Sequence, residues 1–145
     1  ERLSLQGVIA DRREHLASYG RIDIALDPFP YNGVTTTVEA LWAGVPVLTC
    51  AGERFLARQG LGLLSSVGLH DWIATDVDDY VAKAAAHATD LPGLAALRAG
   101  LRQRVLASPL FDAQRFARDF EDALHGMWQA RGEKPATPQN PRRTS

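Results

Sequence analysis

Thr35, Thr36 and Thr37 follow Asn32-Gly33-Val34 and precede Glu39. Threonines are poor in mid-helix but suit a first turn, where their hydroxyls stand beside N–H groups that lack helical partners. The helix dipole adds about half a positive charge at that end. Such a set of donors can hold a phosphate or a diphosphate. Asn32-Gly33 supplies a tight turn that lets a ligand approach the backbone. Glu39 lies four residues after Thr35 on the same helix face, placed to accept bonds from ribose hydroxyls as the acidic residue of a dinucleotide-binding unit does. A plainer role is open to the same residues: threonines at a helix start commonly cap it, and Glu39 is then an ordinary helix charge.

The elements around this segment decide where it points. Residues 22–26 are an almost continuous apolar run, as in a strand covered on both faces. Asp27-Pro-Phe-Pro ends it, because each proline removes a ladder donor. A helix is predicted to begin at Val34 or Thr35 and stop at Gly44, with the next strand over 45–49. The threonines are then aimed at the carboxyl edge of a parallel sheet, where ligands collect. Upstream, a strand is predicted over 5–9 and a short helix over 12–19, stopped by Gly20. Downstream come a turn at Ala51-Gly52, an amphipathic helix over 54–67 weakened by Gly60 and Gly62, and a short strand over 72–74. Helices follow over 77–88, capped by Asp76, over 93–107, with Pro92 near its first turn, and from Phe111 or Asp112 to about Ala130. Strands alternating with helices predict an α/β fold: a Rossmann-like parallel sheet with right-handed crossovers, followed by C-terminal helices. Residues 131–145 hold three prolines and few apolar side chains, and read as a disordered tail after a folded region over 1–130.

The 145 residues fit one domain or a large piece of one, and 46% apolar content supports a core. A formal net charge of −1 provides no global field for nucleic acid or an anionic membrane. No apolar run approaches the roughly 20 residues of a membrane span, and no signal peptide is visible. The single cysteine, Cys50, excludes an intrachain disulfide and a cysteine-built metal site, and suits a reducing, cytoplasmic setting. The chain starts at Glu1 and its only methionine is Met127, so it reads as part of a longer protein.

Other chemistry-bearing residues weigh less. His70, His87 and His125 have no cysteine or carboxylate partners at ligand spacing, so they read as structural and no metal is expected. Cys50, at the end of an apolar strand, reads as a small core residue. Trp42 is placed on the helix face that meets the sheet, with a cleft-wall contact as the alternative. The arginines at 98, 102, 104, 115 and 118, interleaved with acids, read as a solvated helix surface. Met127-Trp128 is expected to dock apolar surface.

The run from Asp27 to Thr49, DPFPYNGVTTTVEALWAGVPVLT, resembles the donor-binding segment of the O-linked N-acetylglucosamine transferases and their bacterial and SPINDLY-type relatives, glycosyltransferase family 41. The resemblance extends through Arg13-Glu-His-Leu-Ala-Ser-Tyr-Gly-Arg-Ile-Asp23, Gly52-Glu-Arg-Phe-Leu-Ala-Arg-Gln-Gly60, Ser65-Ser-Val-Gly-Leu69, Asp78-Asp-Tyr-Val81, Ser108-Pro-Leu-Phe-Asp112 and Met127-Trp128, so it covers residues 1 to about 130. It implies a GT-B enzyme of two Rossmann-like lobes that needs no metal, with this chain as the later part of the C-terminal, donor-binding lobe. The helical TPR repeats, the N-terminal catalytic lobe and the catalytic residues would lie upstream. By the same resemblance, Thr35 and Thr36 hold the diphosphate with Thr37 beside them, Glu39 binds the ribose, Ala10 (through its backbone) and Arg12 line the base-binding edge, and His15 packs on the uracil.

Two departures bear on the donor. Val34 stands where the animal members have histidine, and Ser18 where they have a basic residue. The implied activity is transfer of N-acetylglucosamine from UDP-GlcNAc to Ser/Thr hydroxyls of an acceptor protein. A GDP-fucose or other nucleotide-sugar enzyme, and a non-catalytic nucleotide-binding or docking module, are the alternatives. Taken alone, the chain is expected to be inactive and prone to self-association, because half a cleft cannot orient donor and acceptor together.

Overall fold

The computed structural model describes residues 3–132. The chain divides into two compact units at Asp112/Ala113. The first carries a three-stranded parallel sheet of order β1-β2-β3, built from β1 (Ala25–Leu26), β2 (Val47–Cys50) and β3 (Ile73–Ala74). Ala25 pairs with Val47 and Leu26 with Leu48, and Thr49 and Cys50 pair with Ile73 and Ala74. Helices α1 (Arg12–Ser18), α2 (Thr35–Trp42), α3 (Gln59–Ser66), α4 (Val77–Thr89) and α5 (Leu91–Leu106) alternate with and follow the strands. The second unit is described as one helix, α6 (Ala113–Gly132).

The expected parallel α/β arrangement is present, with local corrections. Residues 5–9 form no strand: no neighbouring strand pairs with them, and Leu5 and Val8 are exposed. A short segment of strand-forming residues becomes a strand only by pairing. The strand expected over 22–26 is confined to its last two residues, and the one over 45–49 begins after Pro46, which has no N–H to donate to a ladder. The helix expected over 54–67 is two pieces, a 3₁₀ turn over Phe55–Arg58 and then α3. Ala57 N–H donates to the Arg54 carbonyl at 3.0 Å to wind that first piece, and Gly52 N–H donates to the Ala57 carbonyl at 2.8 Å to close the loop before it. Trp72 lies in a 3₁₀ turn (His70–Trp72) before β3. Residues 131 and 132, expected in the tail, complete α6, and 133–145 lie outside the described residues. Among the described residues, no helix is long and apolar enough to cross a membrane.

The core forms where β2, buried at every position, is covered by helices: Leu41, Val45, Leu48, Leu64, Leu101 and Val105 are among its fully enclosed side chains. Gly44 takes φ +79°, the left-handed conformation expected of a helix stop, and turns the chain from α2 into β2. Trp42 is half-exposed rather than enclosed in the core. It lies at the margin, against Phe111 at 5.2 Å between rings and under the Arg102 guanidinium at 4.9 Å. The α5 arginines are likewise not merely solvated, since Arg98 pairs with Asp23 and Arg104 donates to the Gly68 carbonyl at 2.6 Å. His87 is structural as expected, stacked flat on Trp72 at 3.8 Å. Burial pushes the Cys50 thiol up, with help from Asp76 and Asp79, and so opposes a nucleophilic role.

Two glycines of α3 separate close approach from simple helix weakening. A Cβ on Gly60 would come within 2.7 Å of Asp27 Oδ2 and press on the buried Thr49 side chain, whereas one on Gly62 would meet open space. Gly60→Ala should therefore cost about 1–3 kcal/mol. Gly62→Ala should stabilise by about 0.5–1 kcal/mol, because it meets nothing in the fold and reduces the conformational entropy of the unfolded chain. Urea unfolding of both variants checks the pair, and equal effects would contradict the packing described.

Candidate functional site: the carboxyl edge of the sheet

The chain leaves β1 into Asp27, and everything at this edge is arranged around that side chain. Asp27 is 3% exposed, yet both carboxylate oxygens have donors: Gly33 N–H on Oδ1 at 2.7 Å and the Thr49 hydroxyl on Oδ2 at 2.7 Å. The Tyr80 hydroxyl donates to its carbonyl at 3.0 Å. Asn32, also buried, donates through its amide to the Pro28 carbonyl at 3.2 Å and accepts from Gly60 N–H at 3.4 Å. These bonds fasten the loop 27–34 to β2, α3 and α4, and so fix where α2 begins. The Asn32-Gly33 turn is thus a cross-link as well as an opening. The sequence reading did not single out Asp27; a carboxylate closing a strand just before Pro-x-Pro, with no charged neighbour, was the available signal.

Helix α2 starts at Thr35 with Val34 as its N-cap residue, and no side chain caps it. The capping role open to the threonines is therefore not the one they take. Thr37 turns inward and donates to the Gly33 carbonyl at 2.7 Å. Thr35 and Thr36 are exposed, and the Thr36 hydroxyl lies against Gly33, where any side chain would displace it. By contrast, Asp11, Asp76 and Asp90 accept from first-turn N–H groups of α1, α4 and α5. The first N–H groups of α2, at its positive dipole end, receive no side-chain cap, and Thr35 and Thr36 beside them are exposed.

One turn along α2, Glu39 meets α1. His15 Nε2 lies 3.3 Å from Glu39 Oε2, and the Tyr19 hydroxyl lies 3.3 Å from the same oxygen. The structure thus brings His15 and Glu39 together from positions 24 residues apart, with Tyr19 between them and the Thr36 carbonyl. Arg12 opens α1 a turn before His15, and Ala10 precedes it; both are exposed. A groove of about 480 Å³ passes Ala10 and Ser18, lined also by Val8, Glu14 and Arg21. Ser18 donates to the His15 carbonyl at 2.6 Å, and Val34 is exposed beside the threonines.

This edge can be set against known proteins. The family model described as Glycosyl transferase family 41 matches residues 1–120. The chain belongs to glycosyl transferase family 41. A SPINDLY protein of Solanum lycopersicum, named as a probable UDP-N-acetylglucosamine–peptide N-acetylglucosaminyltransferase, is 39% identical over 129 residues, which are 89% of this chain and 14% of that protein. The UDP-N-acetylglucosamine–peptide N-acetylglucosaminyltransferase of Caenorhabditis elegans is 32% identical over 121 residues, 83% of this chain and 10% of the relative. A mutant of the O-GlcNAc transferase of Thermobaculum terrenum has the same fold, with a TM-score of 0.77 and 38% identity over 83% of this chain and 23% of that one. The family-41 resemblance and the Rossmann-like lobe are borne out. The chain spans about a seventh of the length of the SPINDLY relative it matches.

The Asp27 network generates a stability prediction. Burial pushes the Asp27 carboxyl above its ordinary range, against the opposing bonds from Thr49 and Gly33. A carboxyl raised on folding favours the fold below its unfolded value, near 4, and that contribution is lost as pH rises through the folded value. Asp27→Asn cannot ionise and escapes the loss, so its stability relative to the unsubstituted chain should improve from pH 4 to pH 7. Asp27→Ala leaves the Gly33 N–H and Thr49 hydroxyl unpaired and should cost about 2–4 kcal/mol. Urea unfolding at both pH values reads these effects, and a relative stability of Asp27→Asn that falls with pH would contradict the account.

Proposed function

We propose that this chain is the donor-binding part of a protein O-glycosyltransferase that moves N-acetylglucosamine from UDP-GlcNAc to Ser/Thr hydroxyls. The observation that carries the reading is the α2 N-terminus: it has no side-chain cap and presents Thr35 and Thr36 beside Glu39 and His15. The relatives' names support the donor and the protein acceptor.

In this reading the diphosphate rests on the first N–H groups of α2 and the hydroxyls of Thr35 and Thr36. Thr37 shapes that turn from beneath through its bond to Gly33. Glu39 accepts from the ribose, His15 packs on the uracil, and Ala10 and Arg12 border the base. The acceptor oxygen bonds to the anomeric carbon as the bond from that carbon to the diphosphate breaks; the bond's electron pair leaves with the diphosphate, and the hydroxyl's proton passes to a base outside this chain. Donors aimed at that developing charge lower the barrier with no metal required, because they are in place before the reaction begins. Catalytic groups and the acceptor site belong to other parts of the protein. The buried, lone thiol of Cys50 fits a reducing, cytoplasmic setting.

Val34 and Ser18, the two departures from the animal pattern, flank the phosphate and base positions, so the identity of the nucleotide is tested directly. Calorimetric titration of the full-length protein without added metal should show UDP binding and markedly weaker GDP binding. Thr35→Ala with Thr36→Ala should cut transfer by about 100-fold or more while the melting temperature holds, because both side chains are exposed. A preference for GDP would move the donor to a GDP-sugar, and unchanged transfer in the double variant would overturn the phosphate assignment.

A further inference from the structure

Tyr19 belongs to none of the positions assigned to the donor, yet it touches three of them. It opens the 3₁₀ turn Tyr19–Arg21 that follows α1 and is buried, with 8% exposure. Its ring meets His15 edge-on, with centroids 5.7 Å apart and planes at 79°. Its hydroxyl lies 3.3 Å from Glu39 Oε2 and 3.5 Å from the Thr36 carbonyl. One proton cannot serve both acceptors, and the carboxylate is the stronger. A small cleft of about 90 Å³ runs from Tyr19 past Asp27 and Pro28 to Thr36, so the ring also walls the space below the threonines.

Resting on the donor reading above, we propose that Tyr19 is a positioning residue for nucleotide recognition, its hydroxyl aiming the Glu39 carboxylate at the ribose while its ring sets the plane of His15 at the base. The geometry suits the task. Among the described residues, the contacts to Glu39 all reach Oε2, from His15 and from Tyr19, which leaves Oε1 for a ligand hydroxyl. Glu39 is a flexible side chain on an eight-residue helix, and without a donor fixed in the core it would lose rotamer freedom only when the ligand arrives. Tyr19 orders it beforehand. Burial, and then Glu39 itself, pushes the Tyr19 phenol up, so the hydroxyl keeps the proton it must donate at neutral pH. Because α1 and α2 meet at this side chain, it also couples the base-side and ribose-side contacts, which neither helix aligns alone.

The test uses the full-length protein with UDP and with 2′,3′-dideoxy-UDP, which lacks the hydroxyls Glu39 would bind. Tyr19→Phe keeps the ring against His15 and removes only the hydroxyl. It should weaken UDP binding about fivefold, the scale of one hydrogen bond, and raise the donor KM to match, with kcat and melting temperature little changed. Against dideoxy-UDP the variant and the unsubstituted protein should bind alike. Tyr19→Leu, which also removes the ring edge, should weaken both nucleotides. The proposal is overturned if Tyr19→Phe binds UDP as the unsubstituted protein does, or if it loses the same factor for both nucleotides. Absence of UDP binding in the unsubstituted protein would instead overturn the donor reading beneath it.

Discussion

A carboxyl group removed from water must be given hydrogen-bond partners or its burial is costly. Asp27 meets that requirement by drawing the Gly33 N–H and the Thr49 hydroxyl onto its two oxygens. The consequence reaches beyond one side chain. The loop after β1 cannot drift, because its far end is tied to the strand beside it. Gly60 must be glycine-sized, because α3 passes directly over the same pair. The start of α2 inherits its position from this knot, and with it the direction of every N–H in its first turn.

What the knot holds in place is an end left open. Three other helices begin with an aspartate that accepts from their own first turn, while α2 begins with Val34, which has no side-chain acceptor to offer. Thr37, which could have faced outward, is turned in to bond the Gly33 carbonyl. The charge logic is consistent: a dipole end without a local acceptor is suited to an external anion, and the His15–Glu39 contact lies one turn further along the same helix. Packing, capping and charge therefore agree on one face of one helix.

The strand–loop–helix–strand core of residues 23–49 was legible because its signals are local: an apolar run, prolines that cannot pair, threonines at a helix start and a glycine that takes positive φ. The Asp76 cap was legible for the same reason. Long-range features were not. Residues 5–9 have strand composition without a strand neighbour, and the α5 arginines look like a solvated face until Asp23, Trp42 and Gly68 arrive from elsewhere in the chain. Of the candidate site, Thr35, Thr36 and Glu39 emerged from helix chemistry and family pattern together, and His15 from the family pattern alone. Tyr19 and Asp27 stayed hidden, because their roles depend on partners 17 to 22 positions away, which no periodicity reveals.

The account rests on where a nucleoside diphosphate sits, so the most direct measurement is a crystal structure of the full-length protein with UDP bound. The account predicts diphosphate oxygens within hydrogen-bond distance of the first-turn N–H groups and the Thr35 and Thr36 hydroxyls, the ribose on Glu39 and the uracil on His15. A diphosphate bound elsewhere, with the α2 N-terminus facing only solvent, would contradict it.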